Sequence, residues 1–194
     1  MKKKEIFSIG HSTHDLNDFL DLLNQHKITA IADVRSTPYS RRFPQFNREN
    51  LKKSLKKTEI AYVFLGEELG ARSDNPCCYN DNDKVDYEKV SETILFKEGM
   101  KRLADGAKNF NICMMCSEKE PLDCHRSILI GRHLDQDQFI LKHIKSDGSL
   151  ETHNEAMDRY IGNESQQSDM FSSKEEKLIS AYKKRGKEIA YKRK

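Results

Sequence analysis

The sequence predicts an α/β protein: a three-layer sandwich around a mainly parallel, Rossmann-like (flavodoxin-like) sheet of about five strands. Short apolar runs alternate with segments of helical periodicity about five times along residues 6–144, and no internal repeat interrupts that order. After residue 144 the alternation stops. We therefore divide the chain into an α/β domain over residues 1–150 and a flexible linker with a basic helical tail over residues 151–194.

The predicted elements follow from apolar spacing. The runs that predict buried strands are residues 6–9, 30–34, 61–65, 112–115 and 139–144. The first helix is capped by Ser12 or Thr13, and Asn47 opens the second. Two further helices are expected over residues 86–104 and 124–134. A polar loop over residues 71–84, longer than an ordinary connection, follows the third strand.

Composition indicates a reduced, cytoplasmic protein. Hydrophobic residues make up 36% and charged residues 34% of the 194 residues. No apolar run approaches the roughly 20 residues that span a bilayer, so we expect no membrane partner. The lysines at positions 2–4 are followed by too short an apolar stretch for a signal peptide. Five cysteines without an export signal indicate free thiols.

Charge is distributed unevenly along the chain. Residues 174–194 carry nine Lys or Arg against three Glu, whereas the whole chain has a net charge of only +3. A basic segment of this kind can contact nucleic acid. The alternative is a solvated helix whose lysines keep it soluble.

Polar residues follow four of the predicted strands directly. They are His11 and Ser12 after the first, Asp33 and Arg35 at the second, Glu68 after the third, and Cys116 and Glu118 at the fourth. The carboxyl ends of parallel strands share one edge of a sheet, and ligands bind in the crevice there. The sequence therefore predicts one polar pocket at this edge.

The loop over residues 36–47 combines cations with aromatic rings. Arg41 and Arg42 suit bidentate recognition of phosphate or carboxylate. Tyr39, Phe43 and Phe46 could stack on a base, as in single-strand binding surfaces. Alternatively, the two phenylalanines pack under the loop and the arginines are solvated.

Roles for single residues follow from their chemistry. Carboxylates, histidines and thiols supply acids, bases and nucleophiles; the catalytic candidates are Glu118, Glu68, His11, His125, Asp33, Cys116 and Cys124. The substrate-binding candidates are Ser12, Arg35, Arg41, Arg42, Phe43, Gln45, Phe46 and Arg126. In the alternative interpretation, Asp33 only pairs with Arg35, and His125 only caps the helix that begins there.

Cysteine spacing argues against several specific sites. A phosphatase loop needs an Arg six positions after its Cys, but Leu122 and Ile130 stand six after Cys116 and Cys124. A zinc site needs four ligands; Cys116, Cys124 and His125 supply three, and no second CxxC pair completes them. We predict no cofactor, and a metal near these three residues stays an open question. Cys124, beside a histidine and an arginine, also leaves thiol chemistry open.

Several motifs occur together in a known order. The chain resembles the bacterial and archaeal family called domain of unknown function 488 in the following pieces: Ile9-Gly10-His11-Ser12, Asp33-Val34-Arg35-Ser36-Thr37-Pro38, Arg41-Arg42-Phe43-Pro44-Gln45-Phe46, Glu68-Leu69-Gly70, and Cys116 with Glu118 through Cys124-His125-Arg126. The resemblance covers roughly residues 6–145. It departs at Ala71 and Ser117, where family members often have Gly and Ala. It implies a single α/β domain with a polar pocket and assigns no reaction.

A peptide near the end of the chain concerns partners. Gln167, Met170 and Phe171 resemble the short motif by which bacterial replication and repair proteins dock on the DNA sliding clamp. The alternative is a linker whose Met170 and Phe171 pack on the domain.

These observations lead to three hypotheses. The leading one is an enzyme, a hydrolase or a transferase, that acts on a nucleotide or nucleic acid. The second is a non-enzymatic DNA-associated adaptor, connected with DNA repair, that docks on the sliding clamp. The third is cysteine-based sulfur or thiol chemistry at Cys116 or Cys124.

Overall fold

The computed structural model describes residues 3–134, 138–164 and 173–193, and these form one six-stranded sheet. Its strands are β1 (Lys4–Gly10), β2 (Ala30–Asp33), β3 (Ala61–Phe64), β4 (Ile112–Cys116), β5 (Phe139–Ile144) and β6 (Leu150–Thr152). The strand order is β3-β2-β4-β1-β5-β6. All pairings are parallel except that of β6 with β5. The predicted α/β class is confirmed, with one short antiparallel strand added at an edge.

Helices pack on both faces of the sheet. They are α1 (Leu16–Gln25), α2 (Arg48–Lys57), α3 (Gly66–Leu69), α4 (Tyr87–Glu92), α5 (Ile94–Asn109), α6 (His153–Glu164) and α7 (Lys174–Ile189). The single helix predicted over residues 86–104 is two helices, because the Thr93 side chain caps α5 by accepting from Phe96 N at 3.2 Å. Arg126–Gly131 is π-helical, in place of the regular helix predicted there.

Two buried clusters fill the space on either side of the sheet. Phe19 of α1 and Leu51 of α2 pack on one face with Met115. Met114, the neighbour of Met115 on β4, belongs to the cluster on the opposite face. All five residues of β4 are buried, as expected for a central strand covered on both faces.

Residues beyond position 150 join the second cluster. Ala156 and Met157 of α6 and Ala181 and Tyr182 of α7 are buried in it. The basic helix predicted at the end of the chain therefore packs with one side against the second cluster. In the described ranges, no helix combines the length and apolar character needed to cross a bilayer.

A candidate active site at the carboxyl edge of the sheet

The ends of β1 and β4 stay paired beyond the strands themselves. His11 N donates to the Cys116 carbonyl and Ser12 N to the Ser117 carbonyl, both at 2.9 Å. Gly10 allows this close approach, since a Cβ there would lie 1.8 Å from the Glu118 carbonyl oxygen. The absence of a side chain at Gly10 thus brings the loop after β4 against the end of β1.

A buried arginine, Arg126, forms hydrogen bonds with the backbone of the same loop after β4. The Arg126 guanidinium donates to the carbonyls of Glu118 at 2.8 Å and of Lys119 at 3.2 Å. Arg126 is 1% exposed, and its Nε has no hydrogen-bond partner among the described residues. Arg126, predicted to contact substrate, instead fixes the backbone that carries Glu118.

The carboxyl ends of β1, β2 and β4 surround a cavity of about 560 Å³. The predicted site residues that line it are His11, Ser12, Arg35, Phe43, Cys116, Glu118 and His125. Further lining residues are Thr13, Ser36, Thr37, Tyr39, Ser40, Ala71, Arg72, Ser117 and Lys119. Residues from four separate segments of the chain therefore meet at one edge of the sheet, whereas Asp33 and Glu68 of the predicted set are outside the lining.

Cys116, Cys124 and His125, named here the thiol cluster, lie close together, and Cys116 and His125 line the cavity. His125 Nδ1 is 3.8 Å from Cys116 Sγ and 3.7 Å from Cys124 Sγ. Glu118 Oε2 is 3.0 Å from Cys124 Sγ. The other ring nitrogen, His125 Nε2, is bonded to the Val34 carbonyl at 3.0 Å.

Burial and mutual contact shift the pKa values of the cluster in different directions. Burial, together with its hydrogen bond to Cys124, raises the pKa of Cys116 well above its usual value. Burial alone would also raise the pKa of Cys124, but the hydrogen bond from Cys116 and the charge of Arg126 lower it well below that value. Burial, followed by the charge of Cys124, raises the pKa of Glu118. The Cys124 thiol is therefore deprotonated more easily than the Cys116 thiol.

His11 is a neutral side chain at the cavity wall. Its ring stacks on Phe46 with centroids 4.4 Å apart, and its Nδ1 is bonded to the Ser12 carbonyl at 3.1 Å. Burial and the charge of Arg35 lower the pKa of His11 to about 4. Because a carbonyl only accepts, Nδ1 carries the proton and Nε2 is left as an acceptor.

Asp33 and Arg35 form a buried ion pair beneath the cavity. Arg35 Nη2 is 2.7 Å from Asp33 Oδ2 and also donates to the Phe46 carbonyl at 2.8 Å. The Tyr62 hydroxyl donates to the same carboxylate at 2.7 Å. Burial, and next the charge of Asp33, raises the pKa of Tyr62. Asp33 does not line the cavity; it orients Arg35, which does.

The third predicted carboxylate faces elsewhere. Glu68 forms an ion pair with Arg102 of α5 and does not line the cavity. Two residues on, Gly70 packs against Ser36, whose hydroxyl accepts from Arg72 N at 2.9 Å. The segment after β3 therefore brings Arg72 to the cavity, whereas Glu68 stays outside the cavity lining.

The aromatic loop is split between core and surface. Phe46 is fully buried, whereas Tyr39 is 65% exposed at the cavity. Arg41 and Arg42 are exposed outside the cavity lining, and the Arg42 guanidinium lies 5.3 Å from the centre of the Phe43 ring. Gln45 Nε2 donates to the His14 carbonyl at 3.5 Å.

Sequence reasoning missed two cations of the site, Arg72 and Lys119. Arg72 lies in the long polar loop, which has no periodicity to orient it, and its guanidinium stacks 4.5 Å from the centre of the Tyr191 ring. Their positions in the sequence could have predicted them, since Arg72 lies in the segment after β3 and α3 and Lys119 directly follows Glu118. The predicted clamp-docking residues Gln167, Met170 and Phe171 lie outside the described residues.

Fold and site together define an open-sheet α/β protein with a polar cavity at the carboxyl edge of its parallel strands. Residues 15–132 match the family model described as domain of unknown function DUF488. This is more than half of the chain, and the protein belongs to that family, as the motifs indicated. Neither the curated proteins nor the solved structures gave a match.

Proposed function

We propose that this protein is an enzyme that acts on a nucleotide or nucleic acid by hydrolysis or group transfer in the cavity at the carboxyl edge. The observation that carries the proposal is the meeting of cations, hydroxyls, a carboxyl and a neutral histidine in one space of about 560 Å³. Ligand pockets for small molecules fall in the range of roughly 300 to 1,000 Å³.

Features of the rim support an anionic substrate with a planar ring. Arg72 and Lys119 place positive charge at the cavity, and Ser36, Thr37 and Ser40 add hydroxyl groups. Charged donors of this kind suit phosphate oxygens. The exposed ring of Tyr39 offers a surface on which a base can stack.

Groups for proton transfer lie on the cavity wall. Glu118 is in position to act as general base or nucleophile, and the neutral His11 accepts protons through Nε2. Both residues come from the paired ends of β1 and β4, so the sheet fixes their separation. A rigid scaffold of this kind is what proton transfer between substrate and protein requires.

Turnover of a panel of nucleosides, nucleotides and oligonucleotides tests the proposal. Glu118→Gln keeps the shape of the side chain but removes its basicity, so we expect kcat to fall roughly 100-fold or more on any substrate that is turned over. Glu98→Gln is the matched control, because Glu98 is exposed on α5 away from the cavity, and it should keep full activity. Binding of these compounds without any turnover would contradict an enzymatic role.

A further inference from the structure

The thiol cluster has the composition of a metal site. The ligand atoms of Cys116, Cys124 and His125 all lie within 4.8 Å of one another, and all three residues are buried. A tetrahedral zinc ion, with Zn–S about 2.3 Å and Zn–N about 2.1 Å, separates a sulfur from a nitrogen ligand by roughly 3.6 Å. The two measured S···N distances are 3.8 and 3.7 Å. Movements of a few tenths of an ångström would therefore bring both sulfur–nitrogen edges to the length that a tetrahedral zinc site requires.

The tautomer of His125 is already suited to coordination. Its Nε2 must donate to the Val34 carbonyl, which only accepts, so the lone pair of Nδ1 faces the sulfurs when the ring is neutral, as metal binding requires. Histidines that bind metals usually donate their other ring nitrogen to a carbonyl or carboxylate in this way.

Buried charge supports an anionic centre at this place. Arg126 is 1% exposed, its Nε lacks a hydrogen-bond partner in the part of the chain that the structure describes, and its backbone N donates to Cys124 Sγ at 3.5 Å. Within the described residues, no carboxylate forms an ion pair with Arg126. A buried guanidinium is costly unless negative charge lies nearby. If the two cysteines coordinate Zn²⁺ as thiolates, an anionic fourth ligand would leave one net negative charge beside Arg126.

Two of the three ligands, Cys116 and His125, line the cavity, and so does Glu118. A tetrahedron built on these ligands can therefore direct its fourth position into the cavity. Three protein ligands and one open position are the pattern of catalytic zinc sites, including those with two cysteines and one histidine. Thiolate ligands select zinc over magnesium or calcium, which prefer oxygen.

We propose that Cys116, Cys124 and His125 bind one Zn²⁺ whose open position faces the cavity next to Glu118. Zinc binding goes beyond the proposed function and does not depend on it, whereas a role for the ion in turnover rests on that function. The zinc would polarise the substrate or a bound water there.

Metal analysis of the full chain tests the proposal. The protein is purified without chelator, loaded with excess Zn²⁺ and dialysed, and we expect it to retain about one Zn²⁺ per chain. Cys116→Ser and Cys124→Ser each remove a thiolate, so we expect both to lose most of the metal. Cys77→Ser is the matched control, because Cys77 is exposed and outside the cluster, and it should retain the full amount.

A spectroscopic measurement does not depend on how the variants fold. Replacement of zinc by Co²⁺ in the wild-type chain should give thiolate charge-transfer and tetrahedral ligand-field bands. Wild-type protein that retains no zinc and shows no such bands overturns the proposal, as does a Cys116→Ser variant that binds like the wild type.

Glu118→Gln separates the two proposals. It leaves Cys116, Cys124 and His125 in place, so zinc should stay bound even where turnover is lost. Zinc without turnover of any nucleotide substrate supports the metal site and removes the proposed function. Turnover of a nucleotide substrate by a wild-type protein that binds no zinc supports the proposed function and removes the metal site.

Discussion

Two buried groups of side chains contain histidine, and the ring nitrogens of these histidines have different partners. Ser8, His143, His153 and Tyr182 form the histidine network. In it, Ser8 Oγ is 2.7 Å from His143 Nδ1, His143 Nε2 is 3.2 Å from His153 Nδ1, and His153 Nε2 is 2.7 Å from the Tyr182 hydroxyl. Every ring nitrogen has a hydrogen-bond partner, so each neutral ring can donate once and accept once.

The thiol cluster is buried to a similar degree, but the ring nitrogens of its histidine have different kinds of partner. His125 uses Nε2 on a backbone carbonyl and leaves Nδ1 facing two sulfurs at 3.7 and 3.8 Å, beside a cavity. Sulfur is a weak hydrogen-bonding atom, so these contacts satisfy Nδ1 poorly. The comparison shows that burial of a histidine does not by itself indicate a functional site. Ligand lone pairs that converge next to a cavity are the feature that indicates one.

The largest expected effect is stabilisation by zinc, which should involve the thiol cluster and not the histidine network. Zinc binds the folded thiol cluster and not the histidine network, so at 1,000 times its dissociation constant it should raise the free energy of unfolding by about 4 kcal/mol. Urea unfolding with and without zinc measures this increment. His153→Gln should keep the increment and Cys116→Ser should lose it. Equal increments in both variants would show that the metal acts elsewhere.

Acid should act on the histidine network as well as on His11, since burial lowers the pKa of both His11 and His153 to about 4. Burial lowers the pKa of His153 to about 4 from 6.5, so the unfolded chain binds a proton more tightly than the folded one. The free energy of unfolding then falls as pH drops through 6.5 and levels off below about 4. This loss amounts to about 3 kcal/mol at pH 4 for this one group.

Urea unfolding at pH 7 and pH 4, with chelator present at both, measures this loss. His153→Gln does not titrate in this range and should show a decrease smaller by about that amount. Burial also lowers the pKa of the neighbouring His143, so some acid sensitivity should remain in the variant. A variant as acid-sensitive as the wild type would mean that His153 stays solvated.

Much of the fold could be predicted because the strands are dense apolar runs. The strand predicted over residues 112–115 is observed as Ile112–Cys116, and that over 139–144 as Phe139–Ile144. Leu150–Thr152 was missed because a three-residue edge strand with two polar positions has no alternation to detect. The break at Thr93 was missed because threonine fits both a helix interior and a cap.

The site could be predicted only as far as strand ends determine it. The rule that carboxyl ends share an edge placed His11 and Glu118 together. It could not orient side chains, so it treated Glu68 and Arg126 alike as pocket residues. Ion pairing with Arg102 turns Glu68 away, and backbone carbonyls hold Arg126 beneath the loop. Those contacts depend on tertiary neighbours that no local pattern encodes.

Gly10→Ala should disturb the cavity side and leave the histidine network intact. A methyl group there would meet the Glu118 carbonyl at 1.8 Å, so the loop after β4 must move. We expect a loss of about 2 kcal/mol in the free energy of unfolding, as for other overpacked positions. Zinc retention and turnover should fall with it. Gly162→Ala is the matched control, since its Cβ would meet no described atom within 4 Å, and it should change neither zinc retention nor turnover.

Tyr182→Phe should give the smallest effect and confine it to the histidine network. The ring that stacks on His153 and lies under the Arg132 guanidinium is kept, and only the hydroxyl that bonds His153 Nε2 is removed. Loss of one buried hydrogen bond should lower the free energy of unfolding by about 1 kcal/mol, measured by urea at pH 7. Zinc retention and turnover should equal those of the wild type. A Tyr182→Phe variant that releases zinc would couple the two groups, and Arg126, whose charge lowers the pKa of His143, would be the residue between them.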